Sequence, residues 1–366
     1  MSSARGTIPF LIGAAFIFAM VNYTFNAARA QKLLQSSPTS TVEFVKVHGK
    51  GLEGNLEGDS LDRDVAVLLP PSYATAKNRR YPVLYMLHGF TDKMGKWFGQ
   101  EKFWINLPEV VDRANAAGIV EMIVVMPDAY TRYEGSMYST SVTTGDWESY
   151  IATELVTYVD THYRTLARAE SRGIAGHSLG GYGALRIGIR HPGVFSATYA
   201  MSPCCLTPGF AVPPDAASAS GIEAVKTFED LAKADIGARA TFASAAAWSP
   251  NPKNPPFFID LPWRDGVQQP MVVAKWTANR PLFMVDQNIW NLRKLHGIGF
   301  DDGSHDIPEN VTGVQILHDE LAAYAISHEF ELYEGDHTSG VAARLQNVVL
   351  PFFARRLDAG NEHAKH

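Results

Sequence analysis

Cysteine is nearly missing from this chain. Its 366 residues hold two, Cys204 and Cys205, and they are neighbours in sequence. A bond between adjacent cysteines is strained and joins nothing distant, so a disulfide scaffold is excluded. Stability must come from a buried core, which a chain of this length can form. Metal-site spacings of Cys and His are absent too, so no metal or other cofactor is implied. Long basic blocks are missing. The formal net charge is −6, with Lys and Arg scattered, which gives no reason to expect a nucleic-acid partner. Internal repeats and low-complexity tracts do not occur.

Apolar runs are short as well. Ile8 to Val21 spans 14 residues, below the roughly 20 that a membrane-crossing helix needs. Arg5 precedes it, and Ala28-Arg29-Ala30 follows just before Gln31. A basic start, a short apolar run and an A-x-A site are the layout of a secretory signal peptide. We therefore read residues 1–30 as a leader and 31–366 as a single domain. The folded part is expected outside the cytoplasm, secreted or periplasmic. Membrane contact is expected only if the leader stays uncleaved.

What the chain does have is a set of short apolar runs separated by helical stretches. Pro82–Leu87 and Glu121–Met126 are continuous apolar runs, as strands buried on both faces should be. Val42–Val47 and Arg63–Leu69 precede them, and Gly173–Ala175, Phe195–Met201, Ile298–Asp301 and His328–Tyr333 follow. Helical spacing lies between, at Leu107–Ala117, Trp147–Tyr163, Tyr182–Arg190, Val311–Ala325 and Val341–Leu357. Ile151, Leu155, Tyr158 and Val159 share one helical face. This alternation predicts βαβ units and a mostly parallel central sheet flanked by helices. The pattern breaks over residues 203–290, which carry many Pro, Ala and Trp residues. We expect an insertion beside the site, with helices near Ile222–Ala234 and Ala240–Ala247. Trp248, Phe257, Phe258, Trp263 and Trp276 could line a pocket there, or be core.

Between one strand and one helix lies Gly176-His177-Ser178-Leu179-Gly180, which reads Gly-x-Ser-x-Gly. A strand, a sharp turn with serine at its apex, and a helix form the context of a nucleophile elbow. Serine is a poor nucleophile until a base takes its proton. His337 lies just past the last strand, where the chain order serine, acid, histidine places a base. The acid must orient that ring, and Asp306, closing a Gly303-x-x-Asp306 turn, is the expected partner. Asp301 and Asp302 compete with it, while Asp336 reads as a turn residue. An oxyanion hole needs backbone N–H donors. Leu179 should supply one. The His88-Gly89-Phe90-Thr91 loop should supply the other, from Phe90 or, next, Thr91. Cys204 and Cys205 read as small buried hydrophobes near this site. Asn310-Val311-Thr312 is a glycosylation sequon.

These residues carry a family likeness. Val124-Val125-Met126-Pro127-Asp128, the 147–163 helix, Gly173 through Ala184, and the Gly-x-x-Asp306 and Gly-x-His337 turns together resemble the Putative esterase family. That group includes esterase D, microbial feruloyl esterases and mycolyltransferases. The resemblance covers about residues 60–205 and 295–355 and leaves 203–290 unaligned. It implies an α/β-hydrolase fold and maps nucleophile, acid and base onto Ser178, Asp306 and His337. The expected activity is that of a serine carboxylesterase acting through an acyl-enzyme on a small-molecule or carbohydrate-linked ester. An acyltransferase using the same residues is the alternative. A non-catalytic exported binding protein fits less well, because all three positions are filled.

Overall fold

A computed structural model describes residues 39–207 and 216–360. The expected leader, 1–30, lies outside the described residues. Eight strands form one sheet: β1 (Thr41–His48), β2 (Asp62–Leu69), β3 (Val83–Leu87), β4 (Ile123–Pro127), β5 (Arg172–His177), β6 (Ala197–Met201), β7 (Gly297–Gly303) and β8 (Glu329–Tyr333). Their spatial order is β1-β2-β4-β3-β5-β6-β7-β8. β2 runs antiparallel to both its neighbours, and every other pairing is parallel. The strands fall within a residue or two of the ranges expected from sequence.

β3 shows why the apolar runs are continuous. Val83, Tyr85 and Leu87 enter one core, and Leu84 and Met86 enter another. Successive strand residues point to opposite faces, and helices cover both. Helices α1 (Leu107–Ala116) and α6 (341–356) pack on one face. The other face carries α2 (147–162) and α3 (Leu179–Arg190). A third core joins α3 to β7 and to α5 (Pro308–Ala323), through Leu185, Phe300, Val314 and Leu317. Among the described residues, no helix is long and apolar enough to cross a membrane.

Helix α2 buries Ile151, Leu155 and Val159, the face read from its spacing. Its middle turn, Tyr150–Leu155, is wound as a π-helix. It is tied to α3 by one buried carboxylate. Glu148 accepts from Arg186 Nε at 3.1 Å, Arg190 Nε at 2.6 Å and His191 Nε2 at 2.8 Å. Burial raises the pKa of this carboxyl. The His191 hydrogen bond and the two arginines outweigh that and hold it at about 2, below its ordinary 4.5.

The 203–290 segment departs from its expected helices. Ala216–Glu223 and Phe228–Lys233 replace one long helix, and Ile236–Trp248 (α4 in the order of the major helices, between α3 and α5) starts earlier than expected. Caps explain both boundaries. Thr227 and Asp230 form a reciprocal capping box, and the Asp235 side chain accepts from the Ala238 N–H. A further helix, Pro270–Ala278, was not anticipated.

Candidate active site

Ser178 sits at the turn between β5 and α3 with φ 57° and ψ −117°. Few residues other than glycine adopt positive φ, and such strain persists only where the surroundings impose it. Here Ser178 N–H donates to the Met201 carbonyl at 3.0 Å. Its own carbonyl accepts from Tyr182 at 3.0 Å and Cys204 at 3.3 Å. Gly180 makes the turn possible: a Cβ there would lie 2.0 Å from the Leu87 carbonyl oxygen. Helix α3 begins at Leu179 rather than Tyr182, because Ser178 is itself the residue that caps it.

The loops after β7 and β8 deliver the other two side chains. They run side by side: Ser304 N–H donates to the Tyr333 carbonyl at 2.7 Å, and His305 N–H to that of Gly335 at 2.8 Å. Gly303 permits this approach, since its Cβ would stand 2.4 Å from the Gly335 oxygen. His337 thereby bridges two groups. Its Nδ1–H donates to Asp306 Oδ2 at 2.6 Å, and its Nε2 accepts from the Ser178 hydroxyl at 2.8 Å. The Asp306 side chain is fully buried, and its other oxygen accepts the Ile307 N–H at 2.5 Å. Burial alone would raise its pKa. Hydrogen bonds from His337, Asp302 and the Ile307 amide hold it at about 2.

The competing carboxylates are engaged elsewhere. Asp301 Oδ2 accepts from Tyr199 at 2.9 Å and from Arg344 at 2.8 Å and 2.6 Å. Asp302 turns one oxygen to the Gly303 N–H. Burial and the neighbouring Asp306 push its pKa up to about 8, so at neutral pH it is mostly uncharged. Asp336 caps its own turn, accepting from Thr338 and Ser339.

Phe90 and Leu179 both line the cavity that contains Ser178. Thr91 N–H is committed to the Glu134 carbonyl at 3.0 Å, which removes the second choice. Among the described residues, nothing accepts from the Phe90 or Leu179 N–H, so both are available to a ligand. His88 braces this loop: its Nε2 accepts the Ala129 N–H at 2.8 Å and its Nδ1 pairs with the Gly89 carbonyl at 3.0 Å.

The cavity measures about 500 Å³ and is mostly apolar. Two of its walls escaped sequence reasoning. Phe103 and Trp104 come from an aperiodic segment before α1, and Trp104 packs edge-on to His177 at 5.7 Å. His177 in turn reaches the His337 carbonyl through Nε2 at 2.8 Å. The other wall is one face of α4: Gly237, Ala240, Thr241 and Ser244, spaced at helical intervals. The insertion thus borders the site with Ile236 and a run of small residues, and none of Trp248, Phe257, Phe258, Trp263 and Trp276 lines it. Trp248 and Trp276 are core, while Phe257 and Trp263 edge a separate cavity. Cys204 and Cys205 line the Ser178 cavity, near the site as read, but are half-buried rather than buried. Asn310 is buried, with its amide 3.5 Å from Asp306. Among the described residues, no group of three or more His, Cys, Asp or Glu could hold a metal ion.

The strand order, the flanking helices and a serine turn above the carboxyl ends of the strands define an α/β-hydrolase-fold protein. The chain belongs to the family described as Putative esterase, which matches residues 60–341. It is 32% identical over 134 residues to an esterase of Mycobacterium tuberculosis. That alignment covers 36% of this chain and 27% of the relative, so the chain spans well under half of that protein. Two solved structures share the fold. A ferulic acid esterase has 22% identity and a TM-score of 0.59, covering 87% of this chain and 99% of its own. An S-formylglutathione hydrolase from Agrobacterium tumefaciens has 15% identity and a TM-score of 0.56, covering 88% and 98%.

Proposed function

We propose that this protein is a serine carboxylesterase exported from the cytoplasm. The observation that carries the reading is His337 spanning 2.8 Å to Ser178 and 2.6 Å to Asp306. In this reading His337 Nε2 takes the Ser178 proton as Oγ attacks the ester carbonyl. The negative charge grows on the carbonyl oxygen, facing the free N–H groups of Phe90 and Leu179. One such donor is worth about 3 kcal/mol of transition-state stabilisation. His337 then protonates the departing alcohol, leaving an acyl-Ser178 ester. Water, deprotonated by the same nitrogen, releases the acid and restores the serine. Asp306, ionised far below neutral pH, holds the ring with Nδ1 protonated and supports its cation.

The apolar cavity suits the acyl part of the ester. Its aromatic edge, and the ferulic acid esterase among the structural relatives, make feruloyl esters the first to try. The export reading rests on Arg5, the 8–21 apolar run and Ala28-Arg29-Ala30. The test is a panel of aryl esters from acetyl to long acyl chains, plus methyl ferulate, with Ser178→Ala alongside. Hydrolysis lost in the variant supports the assignment, and hydrolysis retained in it overturns it. Added alcohols or sugars that divert the acyl group at the expense of free acid would make the protein an acyltransferase.

A further inference from the structure

One ion pair ties the insertion to the loop that carries Phe90. Arg239 lies in the first turn of α4, just before Ala240 and Thr241, which line the Ser178 cavity. Its Nη1 donates to both carboxylate oxygens of Glu134, at 2.8 Å to Oε1 and 2.6 Å to Oε2. The two side chains are only 25% and 21% exposed, so water screens this pair less than one on the open surface. Beyond its first turn α4 is anchored in the core, with Phe242 and every residue from Ala243 to Trp248 buried.

Glu134 passes that tie on through its backbone. Its carbonyl accepts the Thr91 N–H at 3.0 Å, and its own N–H donates to the Thr131 carbonyl at 2.8 Å. Thr91 and Glu134 both hold positive φ, 64° and 63°. Non-glycine residues keep such a backbone only where their surroundings impose it. Lys96 holds Thr91 from another side, donating from Nζ to its carbonyl at 3.1 Å. The next residue, Gly135, lies against the side chains of both expected oxyanion donors. A Cβ there would stand 2.7 Å from Leu179 Cδ2 and 3.1 Å from Phe90 Cδ2.

We propose that Glu134 and Arg239 are positioning residues for the oxyanion hole. Helix α4 holds the Glu134 side chain, the Glu134 carbonyl holds Thr91, and the adjoining Phe90 N–H is thereby kept in place. An oxyanion donor is effective only if it is fixed before the charge develops, which is what this latch supplies. The wall that meets the acyl group and the loop that meets the oxyanion then act as one unit, although neither Glu134 nor Arg239 touches the substrate. The catalytic consequence rests on the esterase reading, whereas the hold on Thr91 does not.

The test compares wild type with Arg239→Met, Glu134→Gln, their double variant and Arg239→Lys. Amide hydrogen exchange needs no substrate and is read by mass spectrometry on overlapping peptides that isolate Thr91. Exchange at Thr91 should be about tenfold faster in Arg239→Met, with the β3 amides unchanged. Glu134→Gln should act in the same direction, and the double variant should be no worse than Arg239→Met, because both act through one pair. With active sites counted by a fluorophosphonate, kcat per site should fall about tenfold in Arg239→Met while KM stays within about twofold. Misfolding alone would lower the site count and leave kcat per site as it was. Arg239→Lys should recover most of the loss, because a single nitrogen makes both bonds and an ammonium can do the same. Should Arg239→Met fail to fold, Glu134→Gln gives the same two readings. Thr91 exchange at the wild-type rate in these variants would overturn the latch. Faster exchange with kcat per site unchanged would overturn its link to the oxyanion hole. A wild type inert toward every ester would sink the esterase reading, and the exchange result would still decide the latch.

Discussion

Replacing Glu148 by Gln removes one negative charge from between α2 and α3 and leaves two arginines and a histidine facing an amide. Arg186 is the critical partner, because it is buried and would be left with neutral acceptors such as Asn279, with Nη1 at 3.0 Å from the side-chain oxygen and 3.3 Å from the carbonyl. Two independent arguments give the magnitude. Breaking a buried ion pair by removing one partner typically costs about 3–5 kcal/mol. Separately, Glu148 titrates at about 2 in the fold against 4.5 ordinarily. At about 1.4 kcal/mol per pH unit, that shift is worth about 3 kcal/mol at neutral pH. Arg190 and His191 are more exposed, so most of this belongs to Arg186.

The pH dependence follows from the sign. The folded pKa is depressed, so the stabilisation is complete above about 4.5 and is lost as pH falls toward 2. Urea unfolding of wild type and Glu148→Gln at pH 7 should differ by about 3–5 kcal/mol. By pH 3 the gap should narrow by about 2 kcal/mol, because the Glu148 carboxyl is then mostly protonated in the unfolded chain but still ionised in the fold. A difference under about 1 kcal/mol at pH 7, or one that stays constant to pH 3, would refute the reasoning.

Three further outcomes are expected. Gly180→Ala places a Cβ 2.0 Å from a backbone oxygen that cannot yield, so hydrolysis should be abolished and stability should fall by about 3 kcal/mol, both measurable on the purified variant. Asp306→Asn should lower kcat about 10⁴-fold with the melting temperature little changed, because an amide facing Nδ1 no longer fixes the tautomer that accepts the Ser178 proton. Ala240→Leu fills the α4 wall of the cavity; kcat/KM for long-chain acyl esters should fall about tenfold or more relative to acetyl esters, read from the same ester panel.

Sequence patterns carried far in the sheet and stopped at the cavity, for physical reasons. β3 and β4 are buried on both faces, so their apolar runs are unbroken and bounded by His88 and Pro127-Asp128. The Gly-x-Ser-x-Gly turn is legible because backbone contacts at Gly176 and Gly180 leave no room for other residues. Ser178, Asp306 and His337 follow in one order because each ends a strand of a parallel sheet. The cavity walls have no such rule. Phe103 and Trp104 sit on irregular backbone, where no period marks which side faces the site. The small residues of α4 look like an ordinary alanine-rich helix until the fold turns Gly237, Ala240 and Ser244 toward Ser178. The Thr227–Asp230 capping box was readable and would have split the helix expected at 222–234.

The most direct test of the account asks which atom becomes acylated. The protein is mixed with an activated aryl ester, acid-quenched during the first turnovers and digested, and the acyl mass is located by mass spectrometry. A fluorophosphonate run in parallel traps the nucleophile irreversibly. The account predicts both adducts on the peptide carrying Ser178, and neither in Ser178→Ala. An adduct on another residue, or a Ser178→Ala variant that hydrolyses the ester at the wild-type rate, would contradict it.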